Sequence, residues 1–312
     1  MVHPITLPGS SLTVSSLCFG ANVFGWSIHD QSEANRLLDE VFSRGVNFFD
    51  SADMYVQWVE GNRGGESERA LGAWLKSSSI NRDDVVIATK VGKMSTRPGL
   101  SPENITAAAD ESLQRLGVDT IDLYYAHLDD ESVPLEDTLG AFGELIAAGK
   151  VRHIGASNYS SARLRKALAL SDEHGLPRYV AVQNHYNLVT REPFESDMAG
   201  LIDQEGLWGL PYFALASGFL TGSYTRDESP DSPRLTRVEA EYKSDENFDT
   251  VDRLLDVARR LNTAPASVAL AWLRARPGVS APIASASRIK QLDALLAEVT
   301  LSEEDISYLS GD

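Results

Sequence analysis

The sequence has one cysteine in 312 residues, Cys18, so no disulfide can form within the chain and a disulfide-stapled scaffold is excluded. Cys18 falls in the apolar run 17–20, where a buried, inert thiol is expected. No run approaches the ~18 consecutive apolar residues of a membrane-spanning helix, and residues 1–10 hold no apolar core behind a basic stretch. The expected location is therefore the cytoplasm, with no membrane partner. Positive charge is scarce: 28 Lys and Arg stand against 45 Asp and Glu, a net charge of −17. That balance opposes long-range attraction to nucleic-acid phosphate and leaves small molecules as the expected partners.

Several chemical motifs are missing too. No Gly-x-Gly-x-x-Gly follows a strand-like run, and the stretch from Gly143 to Gly149-Lys150 is one residue too long for a phosphate-binding loop, with Val151 where a hydroxyl must meet magnesium. Gly155-Ala156-Ser157-Asn158-Tyr159 ends in tyrosine where a nucleophile elbow needs glycine. His127 has Asp129 and Asp130 beside it but no second histidine at ligand spacing, so no metal is expected.

What the chain does have is a globular share of apolar residues, 43%, and regular alternation. Eight strand-like runs, 17–20, 46–50, 85–90, 121–126, 151–156, 179–184, 207–213 and 279–284, are separated by helix-like stretches. Such a pattern predicts an α/β fold, a (β/α)8 TIM barrel formed as a single domain over residues 1–312. Residues 5–7 and 13–15, joined through Pro8-Gly9-Ser10, read as an N-terminal β-hairpin that caps the barrel floor. Helix starts are marked by Ser32 before 33–44, by Ser101-Pro102-Glu103, by Pro134 before 135–148 with Gly149 as the stop, and by Thr263 and Pro265 before 266–276. The polar stretch 221–247 reads as a mobile excursion over the barrel mouth that helps enclose a ligand.

Four proton-handling residues gather at the carboxyl ends of these runs. Asp50 and Lys90 close two of them, His127 follows a third, and Tyr55 lies in the loop after the run that Asp50 closes. Strand ends converge on one face of a parallel barrel, so the four are expected to meet. A phenol titrates near pH ~10 and needs a cation to act nearer neutrality, which Lys90 is placed to supply, with Asp50 as counter-ion to Lys90. A neutral His127 can donate to a carbonyl oxygen and orient it toward Tyr55. Trp26 and Trp58, in the loops beside them, are expected to rim a substrate site together with Tyr55 and His127.

These segments carry a family resemblance. Phe48-Phe49-Asp50-Ser51-Ala52-Asp53-Met54-Tyr55, Ile87-Ala88-Thr89-Lys90, Asp122-Leu123-Tyr124-Tyr125-Ala126-His127 and Gly149-Lys150-Val151-Arg152-His153-Ile154-Gly155-Ala156-Ser157-Asn158 occur in that order, and the chain resembles the aldo-keto reductase superfamily over nearly its whole length. The resemblance implies a barrel oxidoreductase that binds NAD(P)H and reduces aldehydes, ketones or sugars, with Asp50, Tyr55, Lys90 and His127 as the catalytic tetrad and Tyr55 as general acid. It also admits a sugar or alcohol dehydrogenase running in the oxidative direction, and a non-enzymatic nucleotide-binding regulatory subunit. By position, Ser157, Asn158 and Gln183 would hold the nicotinamide carboxamide and Tyr212 would stack on the ring. Ala214, Leu215 and Gly218 would run beside the pyrophosphate, and Gly20, Ser285, Ser287, Arg288 and Gln291 would complete the cofactor site. Phe213 stands where many relatives have serine, and Ser287 where an arginine often sits, with Arg288 one residue later. Arg288 makes NADP the expected cofactor and NAD the alternative.

Overall fold

A computed structural model describes residues 3–8, 10 and 12–311. A two-stranded antiparallel hairpin, β1 (Pro4–Thr6) and β2 (Thr13–Ser15), pairs Ile5 with Val14. The expected turn residue Gly9 lies outside the described residues. Eight parallel strands follow: β3 (Cys18–Gly20), β4 (Phe48–Asp50), β5 (Val86–Val91), β6 (Ile121–Ala126), β7 (Val151–Ser157), β8 (Tyr179–Gln183), β9 (Trp208–Gly209) and β10 (Ile283–Ala284). Their order, β10-β3-β4-β5-β6-β7-β8-β9, brings the two end strands together: Ser280 N donates to Gly209 O at 2.8 Å and Ile283 N to Pro211 O at 2.9 Å. The sheet thus curls into the expected (β/α)8 barrel. The expected runs 207–213 and 279–284 shorten to two-residue strands, because Pro211 and Pro282 supply no N–H to a ladder.

Side-chain alternation separates two cores. Cys18, Phe48, Val86, Ala88, Leu123, Tyr125 and Ala181 pack inside the barrel, whereas Phe19, Phe49, Ile87, Tyr124 and Val182 face the surrounding helices. Leu7, Leu12 and Val14 of the hairpin join the inner cluster and seal its floor, and Trp208 Nε1 donates to Pro8 O at 2.6 Å. Gly155 shows how tightly the interior is filled: a Cβ there would sit 2.5 Å from the Tyr125 ring.

The helices start where physical capping dictates, with two corrections. Ser101 Oγ accepts from Asn104 N and Pro102 opens the helix Pro102–Leu116, and Gly149, at φ 73°, follows the helix Leu135–Ala147. The first helix, Gln31–Ser43, is capped by Asp30 rather than Ser32: its carboxylate accepts from Glu33 N at 2.9 Å, and Ser32 lies inside the helix. Thr263 caps nothing, since Ala264 is the residue before the helix Pro265–Arg274. The stretch 221–247 is more regular than expected. It contains the helix Leu235–Glu241, which buries Val238, and the start of the helix Asp245–Arg260, capped by Ser244. One buried residue in seven leaves little apolar periodicity to read.

Candidate active site

The alternation that fills the barrel also aims the tetrad. Asp50 is two residues beyond the inward Phe48, Lys90 two beyond Ala88, and His127 two beyond Tyr125, so all three side chains leave the top of the interior toward one point. Lys90 Nζ donates to Asp50 Oδ2 at 2.6 Å, to Ser51 O at 2.6 Å and to Tyr55 OH at 3.1 Å. The Tyr55 and His127 rings meet edge-on with centroids 6.0 Å apart. The four expected residues therefore do come together.

Their electrostatics differ from expectation in one respect. Burial pushes the Tyr55 phenol up to about 12; Lys90, by charge and hydrogen bond, pulls it down and is outweighed. The expected lowering of the phenol by Lys90 is thus not its net state, and Tyr55 holds its proton at neutral pH. Burial pulls Lys90 down, but the Asp50 carboxylate and the bonds to Asp50 and Tyr55 leave it above the ordinary lysine value, hence charged. Burial, then Lys90 and Lys93, drive His127 well below the ordinary imidazole value, so it is neutral. Its Nδ1 is buried without a hydrogen-bond partner, which leaves Nε2 as the nitrogen that can meet a ligand.

The neighbouring residues form one connected layer. Asn158, held at φ 61°, donates from Nδ2 to His127 O at 2.8 Å and accepts from Tyr212 OH at Oδ1, 2.7 Å. Ser157 Oγ donates to Gln183 O at 2.8 Å, and Gln183 Nε2 donates to Asp50 Oδ1 at 2.9 Å. The amide nitrogen of Gln183 is therefore committed to the tetrad. Tyr212 stacks on His185 at 5.4 Å, and Tyr242 of the 221–247 stretch shares a 3.0 Å hydrogen bond with His185 Nε2. The same stretch sets Arg234 over the Trp26 ring at 5.3 Å and Arg237 over Phe213 at 4.7 Å. Trp26 meets Trp58, and Trp58 meets Tyr55, each at 6.0 Å, so both tryptophans do stand at the mouth.

The residues present fit a dinucleotide. Phe213, Ala216 and Ser217 all have positive φ without being glycine, at 53°, 47° and 57°, a strained backbone of the kind that persists where a ligand loop needs it. Within this loop Ala214 is buried, and Leu215 and Gly218 are partly exposed. Beyond β10, Gln291 Oε1 accepts from Ser287 N at 2.9 Å and Arg288 N at 3.0 Å, while Arg288 itself is exposed. Ser285 Oγ bonds Asn22 Oδ1 at 2.9 Å and lies where a Cβ on Gly20 would stand, 2.5 Å away. A separate cavity of about 610 Å³ opens at the other end of the barrel, between residues 3–8 and 295–301, remote from the tetrad.

Two residues at the site were not singled out from the sequence. His185 backs Tyr212, and only the fold reveals it. Asp53 is fully buried, and neither of its carboxylate oxygens has a hydrogen-bond partner. Burial and the Glu68 charge raise it to about 7, against opposing pulls from Arg115 and Arg97. Its N–H donates to Lys90 O at 3.1 Å, which ties its loop to the lysine strand.

Known proteins resemble this chain over most of its length. The aldo/keto reductase family model matches residues 16–311. The chain is 33% identical to Protein tas of Escherichia coli K12, over 96% of this chain and 94% of that protein. It is 32% identical to Probable aldo-keto reductase 1 of Glycine max, over 98% and 87%, and 32% identical to a probable voltage-gated potassium channel subunit beta of Arabidopsis thaliana, over 91% and 87%. Among the described residues no helix is long and apolar enough to cross a membrane. The chain belongs to the aldo/keto reductase family, as an oxidoreductase of the NAD(P)H-dependent kind that acts on carbonyls.

Proposed function

We propose that the protein reduces aldehydes or ketones, including sugars, with Tyr55 as the proton donor and NADPH preferred over NADH. The observation that carries this reading is the triad in which buried Lys90 Nζ bridges buried Asp50 Oδ2 and half-buried Tyr55 OH. Lys90 is wholly buried, and a buried ammonium so arranged stabilises negative charge on the phenol oxygen as its proton leaves. A reduced nicotinamide, when bound, supplies hydride to the carbonyl carbon. Tyr55 gives its proton to the carbonyl oxygen, neutral His127 donates from Nε2 to orient that oxygen, and Asp50 keeps Lys90 charged and in place. Ser157, Asn158 and Gln183 would hold the carboxamide, and Tyr212 offers a ring face backed by His185. Ala214, Leu215, Gly218, Ser285, Ser287, Arg288 and Gln291 would run along the phosphates and adenosine, with Gly20 making room for Ser285. Trp26 and Trp58 wall the substrate side. We take the whole chain as one barrel domain working in the cytoplasm on small molecules without a metal.

The test is turnover of an aldehyde, ketone and aldose panel with NADPH and NADH, repeated with Tyr55→Phe. The variant deletes the transferable proton and little volume, so kcat is expected to fall about 10²–10⁴-fold with the melting temperature kept. A variant within a few-fold of the parent moves the acid role away from Tyr55. The relative named as a channel subunit favours a second reading, a nucleotide-binding regulatory subunit. Cofactor binding without turnover of any carbonyl would establish that one instead.

A further inference from the structure

The rim of the mouth carries a cation to which the proposed reduction assigns no contact with the substrate. Lys93 lies three residues beyond Lys90, in the loop that leaves β5 and closes where Gly99 N donates to Gly92 O at 2.9 Å. Register fixes its height. Val91 pairs with Ala126, and His127 N donates to Val91 O at 2.9 Å, so Gly92 and Lys93 run level with His127 and Leu128. Two bonds fix its side: Gln57 Nε2 donates to Ser95 Oγ at 2.6 Å, and Ser95 N donates to Gln57 Oε1 at 3.1 Å. They clamp this loop to the one that carries Tyr55 and Trp58. Lys93 therefore stands between the His127 wall and the Trp58 wall of the mouth.

The nearest acids on the following strand loop are turned elsewhere. Asp129 Oδ1 is taken by Arg163 Nε at 2.7 Å, and Asp130 accepts from Leu100 N at 2.8 Å and Ser132 N at 3.1 Å. Lys93 has no ion pair or hydrogen bond among the described residues, in a chain of net charge −17. Lys93 is exposed at its outer end, yet partial desolvation, then repulsion from Lys90, hold its ammonium below the ordinary lysine value, and its charge in turn helps keep His127 neutral. An incoming anion at this point would find an ammonium that no carboxylate already neutralises.

We propose that Lys93 is a specificity-determining residue that selects carbonyl substrates bearing a carboxylate on the arm that leads from the reacting carbon out past Trp58. The inference rests on the reductase reading above and adds the substrate class to it. An exposed cation contributes modestly and is screened by salt, so the discrimination expected is about three- to ten-fold.

The experiment compares kcat/KM for 4-carboxybenzaldehyde and its methyl ester, at low and high salt, in the parent enzyme, Lys93→Met and Lys93→Arg. The parent is expected to favour the carboxylate about three- to ten-fold at low salt, Lys93→Met to lose that preference, and Lys93→Arg to keep it. A parent with no preference, or a Lys93→Met enzyme with the same ratio as the parent, overturns the proposal. An equal loss on both compounds assigns Lys93 to loop structure and overturns it as well. If neither compound is turned over, the reductase reading fails, and benzoate and benzamide binding, followed by tryptophan fluorescence, decides for Lys93 alone. Tighter benzoate binding that Lys93→Met abolishes supports the site, and equal binding of the two ligands overturns it.

Discussion

At the scale of single residues, the tetrad is a case of burial outweighing a neighbouring charge. Lys90 contacts Tyr55 directly, yet the phenol rises to about 12 because desolvation of its ring and hydroxyl outweighs the neighbouring charge. The result is an acid that keeps its proton until a substrate oxygen accepts it. Asp53 shows the same balance with a consequence for stability. Its carboxyl is raised from an ordinary 3.8 to about 7, so the folded protein binds a proton that the unfolded chain releases. Stability is therefore unaffected by Asp53 below about pH 4, falls as pH rises toward 7, and stays reduced above that. Asp53→Asn removes the penalty without changing shape. Urea titrations should show the variant stabilised by on the order of a few kcal/mol at pH 8 and by much less at pH 5. An equal gain at both pH values would mean that Asp53 is not the titrating group.

At the scale of elements, two-residue periodicity both packs the interior and aims the chemistry. The strands that put Phe48, Ala88 and Tyr125 inside necessarily put Asp50, Lys90 and His127 inside one step higher. The packing below is tight enough to matter: Tyr125 lies across Gly155 on the neighbouring strand, where the two are paired in register. Gly155→Ala forces a methyl to 2.5 Å from that ring. The variant should lose about 1–3 kcal/mol, read as a lower urea midpoint with an unchanged m-value. The loss of kcat should accompany it, since His127 follows Tyr125 by two residues. A stability within about 0.5 kcal/mol of the parent would show that the ring has room to swing aside.

At the scale of the molecule, a chain of net charge −17 has to bind a polyanionic cofactor. Its overall field repels phosphate, so local cations must hold it. Arg288 is exposed beyond β10, with its backbone N–H fixed by Gln291, and a guanidinium suits a 2′-phosphate. Arg288→Ala should raise KM for NADPH strongly and barely alter that for NADH. Equal weakening of both would assign Arg288 to the adenine or the fold, and no change would place the phosphate elsewhere.

The sequence by itself determined the barrel, the hairpin floor and the four residues at the strand ends. Each of these is a local pattern, a short β-prone run followed by a turn or a polar side chain, that survives without knowledge of what lies across the barrel. Helix starts were legible at Ser101, where cap and proline sit together, and at Pro134, where proline alone marks the start, and misread at Ser32, because Asp30 two residues earlier competes for the same N–H groups. Tertiary structure alone decided whatever depends on neighbours distant in sequence. Desolvation set the direction of the Tyr55 shift, the enclosure of Asp53 beside Glu68 raised its carboxyl, and the stacking of His185 beneath Tyr212 tied the 221–247 stretch to the site. Burial and charge at a point are sums over the folded surroundings, and one-dimensional spacing does not contain them.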